Sequence, residues 1–252
     1  EYIFKNGNTY IGEFRNGKRD GDGKFIYPDG EKYEGGYKNG KKEGHGVFTF
    51  KNGNTYEGDF WDGKKNGEGT FLYPSGNIYK GQWENDKRSG LGTLTFHEGG
   101  QYEGEWKSGI IEGEGHYQYP NGDSYQGQFV AGKMHGKGSY TYANGNEYHG
   151  NWQTDEMKGQ GVYSTFTGNY YEGVFSDGEL NGYGIYRSSL GETYEGDWKK
   201  GRMHGKGLYT FANGNTYNGD WVEDNRTGYG IYNYKNGDTY EGFFVKGQRN
   251  GK

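Results

Sequence analysis

The sequence predicts an all-β protein, an elongated single-layer antiparallel β-meander solenoid built from repeated hairpins. Three observations lead to this prediction. An unbroken period of 23 residues carries Tyr at eleven successive places, from Tyr10 to Tyr240. Of the 252 residues, 53 are Gly, 27 Tyr, 14 Phe and 6 Trp, so rings and glycines replace the usual aliphatic core. Large and small side chains alternate with a period of two, which is typical of strands with one distinct face.

Each repeat is numbered here from its Tyr, which is position 0. Gly stands at positions 2, 11, 13 and 20, and usually at position 7, while rings occupy positions 0 and 4 and most places at 15 and 17. We expect a single array over residues 1–252, with a partial leading repeat over residues 1–9. Full repeats then start at residues 10, 33, 56, 79, 102, 125, 148, 171, 194, 217 and 240.

The elements of one repeat follow from this pattern. Positions 0–4 and 13–17 predict two five-residue strands, joined by a loop over positions 5–10. Asn-Gly or Asp-Gly at positions 19–20, as in Asn52-Gly53, predicts a hairpin turn to the next repeat.

The strand register is also predicted. Positions 4, 2 and 0 pair with 13, 15 and 17 of the same repeat, and positions 17, 15 and 13 pair with the following 0, 2 and 4. The rings at positions 0 and 4 then share one face, and each ring at 4 or 15 lies between glycines of both neighbouring strands.

Several functional classes are excluded or disfavoured by composition. No Cys is present, so there is no thiolate metal site, cysteine nucleophile or disulfide. The six His occupy five different repeat positions without ligand spacing, and copies of Gly-x4-Gly-Lys lack the Ser/Thr of a phosphate-binding loop. The net charge of −5 disfavours nucleic-acid binding. We expect no catalytic residue, no metal and no cofactor.

Literal motifs point to a known family. The strings YEGEW at Tyr102–Trp106, YEGDW at Tyr194–Trp198 and KMHGKG at Lys133–Gly138 resemble the MORN repeat. This resemblance implies a non-enzymatic scaffold that binds other proteins, in the cytoplasm and as part of a ciliary axoneme, radial-spoke-like assembly or related cytoskeleton. Exposed strand edges at the ends of the array are expected to allow self-association.

Aromatic residues at position 4 form the first candidate partner site. We expect them to contact partner proteins, with simple packing as an equally weighted interpretation. The set comprises Trp83, Trp106, Trp152, Trp198 and Trp221. Two later repeats lack the ring at position 17, where Thr165 and Ser188 stand, and this loss predicts relaxed packing or, less favoured, a bend or docking notch.

Basic residues in the predicted loop form the second candidate site. As a row of loop tips they would meet anionic lipid or an acidic protein surface, or would only balance the acidic strands. The set comprises Lys41, Lys42, Lys64, Lys65, Lys87 and Arg88. The resemblance also implies two alternative functions, a membrane-tethering module that uses these basic residues, or the accessory array of a larger enzyme.

Overall fold

The computed structural model describes residues 1–251, and within them every regular element is a β-strand. The 23 strands belong to one open antiparallel sheet, which confirms the predicted all-β, single-layer meander. Most repeats contribute a strand of seven residues, which begins one residue before the Tyr, and then a strand of nine residues.

The strands in chain order are β1 (Tyr2–Ile3), β2 (Thr9–Arg15), β3 (Lys18–Ile26), β4 (Lys32–Lys38), β5 (Lys41–Thr49), β6 (Thr55–Trp61), β7 (Lys64–Leu72), β8 (Ile78–Glu84), β9 (Lys87–Thr95), β10 (Gln101–Lys107), β11 (Ile110–Gln118), β12 (Ser124–Val130), β13 (Lys133–Thr141), β14 (Glu147–Gln153), β15 (Glu156–Ser164), β16 (Tyr170–Ser176), β17 (Glu179–Arg187), β18 (Thr193–Lys199), β19 (Arg202–Thr210), β20 (Thr216–Val222), β21 (Asn225–Asn233), β22 (Thr239–Val245) and β23 (Gln248–Asn250).

The chain groups into two compact units. The first comprises residues 1–122 with 129–132, and the second comprises residues 123–128 with 133–252. In the first unit each strand from β1 to β11 pairs with the next one along the chain. The same rule holds from β13 to β23 in the second unit. The single array over residues 1–252 stays a prediction.

The predicted register was wrong by two residues. In the repeat that starts at Tyr56, this Tyr pairs with Phe71 and Gly58 pairs with Gly69, so positions 0 and 2 pair with 15 and 13. On the other side, Phe71 pairs with Tyr79 of the next repeat. A shift of two residues leaves every side chain on its predicted face, because strand side chains alternate with a period of two.

The physical reason for the shift is a tight turn at positions 6 and 7. Asp62 and Gly63 both have positive φ, 51° and 87°, as a two-residue type I′ hairpin requires. The second strand therefore starts at position 8, and a bulge opposite Gly58–Phe60 takes up the extra residues. Position 17 consequently lies in the five-residue turn that leads to the next repeat, where Gly76 N–H donates to the Tyr73 carbonyl.

Most tight turns are also bonded to the preceding repeat. The N–H of Gly63 donates to the carbonyl of Lys42, at position 9 of the preceding repeat, over 2.9 Å. Where Asp86 replaces Gly at position 7, its N–H makes the same bond to Lys65. Its carboxylate also accepts the Lys65 N–H at 3.0 Å, so Asp at this position adds a second bond across the repeat boundary.

The core lies on one face of the sheet and is made of rings. Tyr56 is fully buried, and its ring meets Phe60 of its own repeat and Trp83 of the next edge to face, at 5.2 and 5.3 Å between centroids. The shared face predicted for positions 0 and 4 is thus confirmed. The ring of Tyr56 covers Gly58 and Gly69, where any Cβ would overlap it. These glycines are covered as expected, but by the Tyr at position 0 rather than by a ring at position 4 or 15.

Candidate functional site

The ring face is the face of the sheet that carries the side chains at positions 0, 4, 9 and 15. Its most regular part is a ladder in which the Tyr at position 0 separates the rings at position 4 of successive repeats. Apart from Tyr171, the hydroxyl of each such Tyr donates to the backbone carbonyl of position 3, as Tyr56 does to Asp59 at 2.9 Å. The face is therefore held rigidly, by side-chain packing and by bonds to the backbone below it.

The five Trp at position 4 form the floor of this face. They are buried, with 4–6% of each side chain exposed. Four of them donate the indole N–H to a Gly carbonyl of the preceding repeat, at 3.1–3.3 Å; these are Trp83, Trp106, Trp152 and Trp221. This burial fits the packing interpretation, and their contact with partners stays a prediction.

Trp198 differs from the other four. Its indole Nε1 is buried without a hydrogen-bond partner, and no other side-chain nitrogen or oxygen in residues 1–251 is in that state. In the preceding repeat, Tyr171 is only partly buried and its hydroxyl makes no hydrogen bond to any described residue, unlike Tyr148, which donates to the Asn151 carbonyl. The ladder is therefore irregular at the repeat that starts at Tyr171.

A cavity of about 440 Å³ opens on the ring face of the second unit, next to this irregularity. Its lining includes Tyr142, Met157, Tyr163 and Tyr171, together with Thr165, one of the two places where the ring at position 17 is missing. The sequence signal for a gap at Thr165 thus coincides with a cavity. Ser188, the other such place, is not part of its lining.

The basic residues do not form one row of loop tips, and that prediction was wrong. All six lie in the first two residues of nine-residue strands, so neighbours in sequence point to opposite faces. Those at position 8 are exposed, and they are Lys41, Lys64 and Lys87; Lys41 pairs with Asp62. Those at position 9 lie half-buried on the ring face, and they are Lys42, Lys65 and Arg88.

The cations at position 9 stand over the rings. The ammonium of Lys42 lies 4.3 Å from the centroid of Phe48, and that of Lys65 lies 4.4 Å from Trp83. The guanidinium carbon of Arg88 lies 4.0 Å from Trp106. Such cation–π contacts contribute about 0.5–2 kcal/mol each, depending on desolvation.

The hydrogen bonding of these cations differs between Arg and Lys. Arg88 donates to the Gly109 carbonyl at 2.8 Å, and Arg19 donates to the Gly40 carbonyl at 2.7 Å. Within the described residues, neither Lys42 nor Lys65 has a hydrogen bond or ion pair at its ammonium. Burial lowers the pKa of both lysines, and the carboxylate of Asp86 opposes that shift.

Two further searches cover residues 1–251 only. No group of three or more His, Asp or Glu is placed to hold a metal ion there. No helix among these residues is long and apolar enough to span a membrane.

A family model described as MORN repeat matches almost the whole chain. The matches are consecutive and cover residues 10–32, 33–55, 56–78, 79–101, 102–124, 125–147, 148–170, 171–189, 194–216, 217–239 and 240–252. Comparison with curated proteins gave no significant match.

Solved structures resemble the chain more remotely. The TCP10 domain of CPAP from Danio rerio, in complex with a STIL peptide, has 12% identity and a TM-score of 0.45, covering 94% of this chain and 100% of that one. The SAS-4 (dCPAP) TCP domain from Drosophila melanogaster, with a proline-rich motif, has 14% identity and a TM-score of 0.42 over 67% and 90%. Such distant likeness carries no argument about what this chain binds.

Proposed function

The chain belongs to the MORN repeat family, and we propose from this premise that it is a scaffold that binds partner proteins on its ring face, without catalysis of its own. The observation that carries the proposal is the ladder of buried rings topped by half-buried cations in the first unit. Rigid aromatic surfaces bind partners at little entropic cost, because few side-chain rotamers remain to be frozen. Arg and aromatic residues are also enriched among the residues that dominate interface energies.

The five Trp are tested as contacts by substitution. Replacing Trp152 and Trp198 by Phe keeps an aromatic floor but removes the outer part of each indole, together with the hydrogen bond from Trp152 to the Gly138 carbonyl. If the indoles contact partners, the amount of a cross-linked partner recovered from a pull-down falls in this double variant. Unchanged recovery, together with a lowered thermal unfolding midpoint, assigns these rings to packing alone.

We further propose that the chain is a scaffold component of a ciliary axoneme, in particular of a radial-spoke-like complex, or of a related cytoskeletal structure in the cytoplasm. This proposal is supported by the family resemblance alone, because nothing in the fold selects one cellular assembly over another. Expression of the tagged chain in ciliated cells tests it. We expect the tagged chain to be enriched along the axoneme and to stay there after detergent extraction. A diffuse distribution that is lost on detergent extraction contradicts the proposal.

A membrane-tethering function is the second candidate, and one observation favours it. Lys41, Lys64 and Lys87 are exposed at the same position of three successive repeats, on the face opposite the rings. Regularly spaced exposed lysines attract anionic headgroups by about 1 kcal/mol each. Flotation with phosphoinositide-containing vesicles tests this: salt-sensitive flotation that is lost when all three become Gln supports tethering, and no flotation rejects it.

A further inference from the structure

Two lysines on the ring face are held in place without an anionic partner. The ammoniums of Lys42 and Lys65 lie over rings of adjacent repeats, and within residues 1–251 they donate no hydrogen bond and form no ion pair. We propose that these two lysines bind carboxylates of an acidic segment of a partner protein, laid across the ring face of the first unit. This inference rests on the proposed scaffold function and specifies the chemistry of the partner.

The fold does not need a cation at this position. Position 9 carries Arg19, Lys42, Lys65 and Arg88 in the first four repeats, and then apolar side chains in five repeats. Those apolar residues are Ile111, Met134, Met157, Leu180 and Met203, and the chain forms the same nine-residue strands around them. Burial disfavours a charged side chain at this position, and other repeats fold with Met there. The charge of Lys42 and Lys65 therefore points to a ligand outside the chain.

Nearby carboxylates do not neutralise these lysines. Asp86 and Glu31 are the carboxylates whose charge acts on Lys42, but neither forms an ion pair with it. Both are bound to backbone N–H groups instead: Asp86 accepts from Lys65 at 3.0 Å, and Glu31 accepts from Lys51 at 3.3 Å. The first four repeats therefore present positive charge on an aromatic floor, and the complementary surface is acidic with apolar groups beside the charges.

The spacing of the repeats specifies the segment further. Lys42 and Lys65 are one repeat apart, which is two strand spacings or about 10 Å. Carboxylates match this distance on one side of a segment when they are three residues apart in a polyproline II conformation, or seven apart in a helix. A vesicle surface would meet the exposed lysines at position 8 of the opposite face first, so the half-buried pair favours a protein segment over a membrane.

The test uses the whole chain as bait for a displayed library of random twelve-residue peptides. We expect the selected peptides to carry Asp or Glu pairs three or seven residues apart. The binding of a selected peptide, measured by fluorescence anisotropy, should weaken about tenfold or more when Lys42→Met and Lys65→Met are combined. Met occupies the same position in Met134, Met157 and Met203, so this variant is expected to fold.

Matched controls separate the ring face from general charge. The Lys64→Gln, Lys87→Gln variant removes the same charge from the opposite face and should change affinity by less than about twofold. Circular dichroism of all variants checks the fold. The inference is overturned by selected peptides without acidic residues, by unchanged binding of the Met variant, or by phosphatidylserine vesicles that bind through Lys42 and Lys65.

Failure of this inference is distinguishable from failure of the scaffold function. Peptides or partners that bind the chain regardless of Lys42 and Lys65 leave the scaffold proposal intact and reject the acidic segment. A chain that selects no peptide and cross-links to no protein in its native setting contradicts both.

Discussion

Substituting Gly69 by Ala tests whether a Tyr lying over paired glycines holds the sheet together. A Cβ on Gly69 would overlap the ring of Tyr56, which is fully buried above it. Because φ of Gly69 lies outside the left-handed region, the expected cost is steric rather than conformational. The ring must move, which loosens its edge-to-face contacts with Phe60 and Trp83 and its hydrogen bond to the Asp59 carbonyl.

The magnitude follows from those contacts. We expect Gly69→Ala to lower the free energy of unfolding by about 4 kcal/mol. This loss combines partial exposure of the ring, two weakened aromatic contacts and one lost hydrogen bond. Urea denaturation followed by tryptophan fluorescence measures this loss. Gly63→Ala is the control, because nothing lies within 4 Å of its Cβ and only its positive φ of 87° opposes Ala. We expect about 1–2 kcal/mol there.

A double-mutant cycle isolates the proposed overlap. In a Tyr56→Leu background the ring is gone, so Gly69→Ala should add less than about 1.5 kcal/mol to the cost already incurred. A loss of unfolding free energy for Gly69→Ala no larger than that for Gly63→Ala would contradict the proposed overlap. So would a loss that is the same with and without Tyr56.

Two further predictions concern tyrosine hydroxyls. Tyr148→Phe should lower the free energy of unfolding by about 1 kcal/mol by removing the bond to the Asn151 carbonyl, whereas Tyr171→Phe should be nearly neutral because its hydroxyl bonds nothing; equal urea midpoints for the two variants would contradict this. Burial raises the pKa of Tyr79 and of Tyr148 from 10 to about 12, so the folded chain keeps protons that the unfolded chain loses. Stability should therefore be complete below pH 10 and fall as the pH rises from 10 to 12. Tyrosinate absorbance recorded with circular dichroism checks this, and gradual ionisation near pH 10 without unfolding would oppose it.

The fold class could be predicted because every repeat carries the same strand pattern. Period-two alternation around Tyr10 and its successors indicates strands, and the unbroken spacing leaves no room for another element. The face shared by positions 0 and 4 followed from the same alternation. It is confirmed by ring pairs such as Tyr56 and Phe60.

The sequence contains a signal for the observed register at positions 6 and 7. Asn16-Gly17 and Asn39-Gly40 stand at positions 6 and 7, and this dipeptide is the strongest short hairpin signal. A two-residue turn there moves the second strand to position 8, as the structure shows with Lys18 and Lys41. Because the second strand starts at position 8, the same turn also predicts that Lys41 and Lys42 lie on opposite faces of the sheet.

The irregularity in the second unit could be anticipated only in part. Thr165 marks a missing ring, and the sequence shows that directly. The unpartnered indole of Trp198 and the altered position of Tyr171 depend on how several neighbouring side chains pack. One of them is Leu180, which is buried and lies beside the place that a Cβ on Gly173 would take. A periodic pattern contains no signal for such a choice, because Tyr and Trp keep their usual positions in it.

The most direct measurement of where partners bind is lysine footprinting of the chain with and without a bound partner. Lys41 and Lys42 are neighbours on one strand but lie on opposite faces, and the same holds for Lys64 and Lys65. Amine acetylation read by mass spectrometry compares each lysine with itself in the two states. We predict that the partner shields Lys42 and Lys65 while Lys41 and Lys64 react as before. Shielding of Lys41 and Lys64 alone would place partners on the other face and contradict this prediction.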